Sequence, residues 1–268
     1  MKKITGHAYI LFAVATIAFG IIQITAGNFN RGLLPVPETL PARKVWLFIT
    51  ATLLMLMGSG LLFKKWRYPS SVLLGIFYFL LFLLVHFFPL ISNPYNPNEW
   101  TAAVEVISLS SGAFFIAAMG YPAGSLLHKW HPLIQKIMPV ARYAFSGSLL
   151  VFAFLHFTYA AFIATLIPAW VPFKLFLAML IGAGFLAAAI SIMVKRLSYL
   201  SASILGCMFL LWVFILHLPR AMDKMTEEPE WTSLFVALAF SGASWMLAFL
   251  SGKSKPVTTS QFLADLPA

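Results

Sequence analysis

Cysteine and charged residues are both scarce in this sequence of 268 residues. The single cysteine, Cys207, lies within an apolar run, where we expect it to be buried. One cysteine excludes an intramolecular disulfide, a Cys-x-x-Cys redox pair and a thiolate zinc site. Charged residues make up 10% of the chain and hydrophobic residues 61%, whereas a soluble domain is about 25% charged and about 45–50% apolar. The composition therefore indicates a protein that crosses a membrane several times.

Acidic residues are the scarcer charged class, with eight Asp and Glu against eighteen Lys and Arg, and the formal net charge is +10. The basic residues lie in short clusters between apolar runs, which is typical of loops that flank membrane spans and not of a nucleic-acid surface. The sequence contains no phosphate-binding glycine loop, nucleophile elbow or His-Glu-x-x-His motif. We therefore expect the lipid bilayer to be a partner, and neither a nucleic acid nor a metal.

Long apolar runs are abundant. A helix needs about 20 apolar residues to cross a hydrocarbon core about 30 Å thick. Eight runs are long enough to do so: 7–26, 43–63, 70–90, 100–119, 141–165, 171–194, 197–218 and 231–250. They are expected to be helices, because lipid cannot satisfy open backbone groups. The first run also fits a signal peptide with Lys2 and Lys3 as its basic start, but the repeat described below needs it as a span.

The distribution of Lys and Arg predicts the orientation. Twelve of these residues lie on the side shared by the N-terminus, the 2–3, 4–5 and 6–7 loops and the C-terminal tail: Lys2, Lys3, Lys64, Lys65, Arg67, Lys129, Lys136, Arg142, Lys195, Arg196, Lys253 and Lys255. Six lie on the other side: Arg31, Arg43, Lys44, Lys174, Arg220 and Lys224. By the positive-inside rule the richer side is cytoplasmic. We therefore expect a multi-pass protein of the cell (inner) membrane with both termini in the cytoplasm.

The two halves of the chain repeat one another. Residues 64–119 align with 195–250 without a gap at a shift of 131. The evidence for this alignment is that polar residues coincide: His86 aligns with His217, Glu99 with Glu230 and Ser110 with Ser241. After removal of two residues near 36–40, Gln23 falls on His156, Phe29 on Phe162 and Pro35 on Pro168. Each half holds four spans, so both enter the membrane in the same direction.

The predicted fold is therefore an all-α membrane protein with eight transmembrane helices, arranged as two parallel four-helix repeats over residues 1–120 and 141–250. Residues 121–140 are predicted to form a cytoplasmic linker. Apolar residues recur in it at helical spacing with basic residues mostly opposite, so it is either an amphipathic helix on an anionic leaflet or an ordinary basic linker. Residues 251–268 are expected to form a flexible cytoplasmic tail.

Motifs in the second half resemble a known family. "FLHFTYAAFIATLIPAWVPFKLF" (154–176), "HLPR" (217–220) and "EWT" (230–232) are similar to the DoxX-like family of small four-helix membrane proteins. "FGIIQITAGNFNRGLLPVPETLPARKVW" (19–46) resembles a degenerate version of the same pattern. The resemblance implies two fused DoxX-like units and an association with respiratory or sulfur-oxidising, quinone-dependent systems or other membrane oxidoreductases. The lone cysteine departs from the branches of the family that handle thiol chemistry.

A few polar side chains lie within or near the ends of the predicted spans, where such groups are costly and tend to be functional. They are Gln23, His86, Glu105, His156 and His217. At about 1.5 Å per residue, Glu105 lies roughly 8 Å and His156 about 13 Å from the outer ends of their helices. All five therefore fall in the outer half of the bilayer, and we expect an outward-facing polar cavity.

Glu105 shares one helical stripe with three small residues, Thr101, Ser108 and Gly112. The stripe either joins two helices through hydrogen bonds and close packing, or it presents Glu105 as a proton carrier or substrate contact.

His86 and His217 also allow two interpretations. They lie near helix C-termini, and Glu99 and Glu230 lie at helix N-termini, so all four match the helix dipoles. Alternatively each His pairs with the Glu of its own half, as a proton-passing or head-group site. Arg220 then adds a fixed positive charge for an anionic or quinone-carbonyl ligand.

These observations predict a redox-associated membrane subunit that binds a quinone-like or lipid-like molecule. The candidate ligand-binding or proton-relay residues are His156, His217, Arg220 and Glu230 in the second half and His86, Glu99, Glu105 and Gln23 in the first half. No cofactor is evident beyond such a quinone, and haem is disfavoured because nothing places a second His opposite His156.

The alternative functions are a transporter or permease, which parallel repeats favour, and a structural or assembly protein without a ligand. Whether the protein is an enzyme is left open.

Overall fold

The computed structural model describes residues 6–121 and 124–253. Within these residues all regular secondary structure is helical, and eight helices are long and apolar enough to cross a membrane. They are α1 (Tyr9–Ala26), α2 (Arg43–Leu62), α3 (Lys64–Ser92), α4 (Pro97–Ala118), α5 (His128–Thr158), α6 (Lys174–Met193), α7 (Ser198–Asp223) and α8 (Glu228–Gly252). The chain is thus an all-helical, multi-pass integral membrane protein, as predicted. The predicted tail lies outside the described residues from 254 onward.

Helices α4 and α8 form the centre of the bundle. The most apolar windows of α4 and α8 are 72% and 67% buried, against half or less for the other six spans of the described chain. The two central helices pack on each other, α4 also packs on α3 and α5, and α8 also packs on α7 and α1. Small residues permit this proximity, since a Cβ added at Gly112 of α4 would lie 2.7 Å from the Cβ of Ala243 in α8.

Helices α3 and α7 each contain one π-helical turn that ends at a histidine. The turns are Phe82–His86 and Val213–His217, and α-helix resumes after each one. A π-turn inserts an extra residue into the helical ladder and is frequently found at functional sites. The two turns aim His86 and His217 differently from the residues of a regular helix at those positions.

The fifth span differs from its prediction. Its α-helix begins at His131, inside the stretch 121–140 assigned to a linker, and ends at Thr158 instead of 165. Pro132 occupies the first turn, where a missing N–H costs nothing, and Ile134 is buried in the core. Part of the apolar face that suggested a surface-lying helix therefore packs against the bundle at the start of α5, while Trp130 and Leu133 remain exposed. After Tyr159 the chain forms a separate short helix, Ala160–Leu166.

Several local contacts recur at the sequence shift of 131. Ser110 Oγ donates a hydrogen bond of 2.8 Å to the Gly75 carbonyl, and Ser241 Oγ donates one of 2.8 Å to the Gly206 carbonyl. Two tryptophans near the start of α4 and α8 also match: Trp100 Nε1 donates to the Pro94 carbonyl, and Trp231 Nε1 donates to the Met225 carbonyl.

The prediction for the cysteine is wrong, because Cys207 is exposed on the surface of α7.

Candidate ligand-binding site

A cavity of about 410 Å³ lies between α4 and the helices α5 to α8. This volume is within the usual range of about 300–1,000 Å³ for small-molecule sites. The walls are mainly apolar. Four of the eight predicted site residues line the cavity, namely Glu105, His156, His217 and Arg220. The structure therefore brings together one candidate from the first half and three from the second.

Four phenylalanine rings form one wall of the cavity, one from each of α5 to α8. They are Phe152, Phe185, Phe209 and Phe240, and the neighbouring ring centroids are 5.3 to 6.0 Å apart. These separations are typical of favourable aromatic pairs. The closed ring of contacts holds the wall in one shape and gives a flat ligand an aromatic surface to pack against.

His156 extends this wall with an imidazole whose tautomer is defined by its neighbour. The ring lies edge-on to Phe185, with 5.1 Å between centroids. His156 Nδ1 lies 2.8 Å from the Phe152 carbonyl oxygen. A carbonyl can only accept, so Nδ1 carries the hydrogen and Nε2 of the neutral ring is an acceptor. A Cβ at Gly182 of α6 would lie 2.9 Å from the His156 Cβ, so glycine makes the space for this ring.

His217 is the second imidazole of the cavity, placed by the π-turn of α7. Its Nδ1 atom is buried and has no hydrogen-bond partner among the described residues. The predicted pairing of His217 with Glu230 does not form. Glu230 instead binds Arg220, with Nη2 2.9 Å from Oε1 and 2.8 Å from Oε2. The guanidinium that lines the cavity is thus held in place by a carboxylate that is only 8% exposed.

Lys224 and Glu227 extend this ion pair toward the surface. Lys224 Nζ lies 3.5 Å from Glu230 Oε1 and 3.4 Å from Glu227 Oε2. The hydrogen bond to Glu227 raises the pKa of Lys224. Two positive charges therefore lie beside Glu230, Arg220 in the last turn of α7 and Lys224 at the start of the loop that joins α7 to α8.

Glu105 projects from α4, the central helix of the first half, into this second-half cavity. No other described residue gives its carboxyl a hydrogen bond or an ion pair. Thr101, one turn earlier, also lines the cavity, but its hydroxyl donates to the Pro97 carbonyl at 2.9 Å. The remaining members of the predicted stripe, Ser108 and Gly112, pack within the bundle. The stripe thus faces the cavity at one end and packs within the bundle at the other.

The other predicted residues have structural roles outside the cavity. His86 is buried and its Nε2 donates to the Leu33 carbonyl at 2.8 Å, so it does not pair with Glu99. Glu99 lies 3.4 Å from the side-chain amide of Asn96, the residue that caps α4. Gln23 Oε1 lies 3.0 Å from Thr50 Oγ1 and links α1 to α2. Helix termini and helix packing account for these three.

Sequence reasoning missed several residues that line the cavity. Asn98 lies seven residues before Glu105 on the same helical face, so its position could have been found from helical spacing. Tyr159 occupies the break between α5 and the short helix, and Trp212 lies at the π-turn of α7. The phenylalanine wall had no signal of its own, since phenylalanine occurs 26 times in the chain.

The described residues contain no group of three His, Cys, Asp or Glu side chains that could hold a metal ion. Among known proteins, no family model, curated sequence or solved structure matches the chain.

Proposed function

We propose that this membrane protein binds a lipid-soluble, quinone-like or lipid-like molecule in the cavity between α4 and α5–α8. One observation carries the proposal. Glu105, whose carboxyl has no hydrogen bond or ion pair among the described residues, lines the same aromatic-walled cavity as His156, His217 and Arg220, and the buried Nδ1 of His217 also lacks a partner. A buried polar atom without a partner, such as His217 Nδ1, costs about 1–3 kcal/mol. Four polar or charged side chains around one mainly apolar cavity are better explained by a ligand that pairs with them.

The depth of these groups favours a ligand that enters from the membrane. Glu105 lies eight residues after the start of α4, and His217 lies six residues before the end of α7. At about 1.5 Å per residue the two are roughly 12 Å and 9 Å from the same membrane face. An amphipathic molecule with its polar head in the cavity and its apolar part among the helices fits this depth. The distribution of basic residues supports assigning this as the outer face.

We further infer that the two halves are parallel copies of a DoxX-like four-helix unit. The ungapped sequence shift, the two π-turns and the matched serine contacts support this. In this interpretation the second copy keeps the binding site, and the first copy contributes Glu105 to it. The role we propose is that of a redox-associated subunit of a respiratory or oxidoreductase assembly, with both termini in the cytoplasm.

The direct test is to identify what the purified protein contains. We expect organic extraction followed by mass analysis to give a quinone or prenyl lipid in stoichiometric amount from the wild type. The yield should fall strongly for His217→Ala, which removes an unpartnered group of the cavity. Glu99→Ala is the matched control, because Glu99 lies outside the cavity, and its yield should be unchanged.

A second measurement uses Trp212, which lines the cavity. Addition of a decyl-substituted benzoquinone should quench part of the tryptophan fluorescence, and Trp212→Phe should remove that part. An empty extract together with no saturable quenching would overturn the proposed function.

A further inference from the structure

Hydrogen-bond acceptors line the cavity on α4, α5 and α8, and their positions favour one chemical form of the ligand. We infer that the site selects a hydroxyl-bearing head group, a phenol or hydroquinone, over the corresponding ether or quinone. The hydroxyl donates to Glu105 on α4 or to His156 on α5. This inference rests on the proposed function and narrows its ligand class.

The first step concerns His156. Its Nδ1–H is engaged by the Phe152 carbonyl at 2.8 Å, so the neutral ring offers only an acceptor, Nε2, to a ligand. The glycine at 182 and the edge contact with Phe185 fix the ring in the wall. A hydroxyl can donate to this nitrogen, whereas a quinone carbonyl or an ether oxygen has no hydrogen to give.

The second step concerns the wall formed by α4 and α8. Glu105 presents carboxyl oxygens that lack a protein partner. Thr101 and Ser233, the two hydroxyls lining the cavity on these helices, each donate their hydrogen to a backbone carbonyl one turn earlier, at 2.9 and 2.8 Å. Both retain only lone pairs for a ligand. Apart from the amide of Asn98 at its outer end, this wall therefore also offers acceptors to the ligand.

The third step concerns Arg220, the fixed cation of the cavity. Two short contacts engage its Nη2 with Glu230, so its charge is already balanced by a buried carboxylate. A ligand does not need a negative charge to enter, and a neutral phenol suits the site. Arg220 remains able to donate to the hydroxyl oxygen from its other nitrogens, so one hydroxyl can bridge donor and acceptor.

The experiment compares three probes of matched shape by Trp212 fluorescence: 4-decylphenol, its methyl ether and decylbenzoquinone. The phenol should bind the wild type roughly tenfold more tightly than either of the others, because only it can donate to the acceptors. Glu105→Val should reduce this preference at least about threefold, and Glu99→Val should leave it unchanged. Trp212→Phe identifies the signal from the cavity.

The outcomes separate the two proposals. Equal binding of phenol and ether, or tighter binding of the ether or quinone, overturns the inference and leaves the binding site intact. Failure of all three probes overturns the proposed function with it. If Glu105→Val does not fold, Glu105→Gln replaces it. The amide keeps an acceptor oxygen, so a smaller loss of preference is expected, and an undiminished preference would exclude Glu105.

Discussion

The segments that follow α1 and α5 have related sequences but lie differently against the bundle. After α1, Phe29 is 2% exposed and the neighbouring Leu33 is buried. After α5, the aligned Phe162 is 63% exposed, in the short helix Ala160–Leu166. The first segment folds into the bundle, whereas the second lies at the edge of a cavity.

This difference decides whether the polar groups beneath each segment find partners. In the first half the Leu33 carbonyl accepts from His86, and Asn30 Nδ2 donates to Thr232 Oγ1 at 3.0 Å. In the second half His217 Nδ1 has no partner among the described residues. Ile163, which aligns with Asn30, lines the cavity instead of bonding across it. Where the segment packs over its histidine, the histidine bonds to the segment and the space is filled. Where the segment stays at the edge, a cavity remains beside the histidine.

The largest difference in stability between the two segments is expected for a pair of phenylalanine truncations. Phe29→Ala should lower the free energy of unfolding by roughly 3 kcal/mol, because it empties a filled core position and removes the ring under the Arg43 guanidinium, 5.0 Å from its centroid. Phe162→Ala should lower it by less than about 1 kcal/mol. Denaturation in mild detergent measures both values, and equal losses would show that the second segment is packed like the first.

The next pair compares the two histidines. His86→Ala removes a buried side chain and its hydrogen bond to Leu33, so we expect a loss of about 2 kcal/mol. His217→Ala should cost less than about 1 kcal/mol, since its Nδ1 gives up no bond, yet this variant should lose ligand. The same denaturation assay, combined with the extraction assay, separates the two effects. A His86→Ala variant as stable as the wild type would contradict a structural role for this histidine.

Much of the fold could be predicted from the sequence because lipid restricts the choices so strongly. Eight apolar runs of sufficient length in a chain with few charges leave helices as the only spanning elements. The start of α5 was harder, because a helix that leaves the membrane keeps an amphipathic face, like one that lies on the surface. The burial of Ile134, on a face whose Trp130 and Leu133 stay exposed, shows that part of this face meets the bundle.

Half of the predicted site residues line the cavity, because the depth of a residue in the membrane can be read from the sequence but the direction of its side chain cannot. Depth placed Glu105, His156 and His217 at one level, where the structure joins them in one cavity. Depth also selected Gln23 and His86, which meet Thr50 and Leu33 instead. Which way a side chain faces around its helix depends on π-turns and loop packing, and neither leaves a periodic pattern in the sequence.

Replacing Glu105 by the residue that its counterpart position carries, Val236, would make the two central helices alike. Glu105→Val should raise the free energy of unfolding by about 1 kcal/mol, because it removes an unpartnered carboxyl from the membrane region. The variant should also lose bound ligand in the extraction assay. Val236→Ala is a control at the same cavity without a change in polarity. A destabilised Glu105→Val would mean that the carboxyl has a partner within the folded protein.

The smallest expected effect concerns a contact that is the same in both halves, so that the two halves should lose equal stability when it is removed. Ser110 and Ser241 make the same contact, each donating at 2.8 Å to a glycine carbonyl on the neighbouring helix, and both are buried. A side-chain hydrogen bond between membrane helices contributes about 0.6 kcal/mol on average. Ser110→Ala and Ser241→Ala should therefore each lower stability by about that amount, and the double variant by the sum, because the sites share no partner. Ser233→Ala, which removes a bond within its own helix, is the control. Unequal losses at the two serines would show that the halves differ throughout their cores and not only around the cavity.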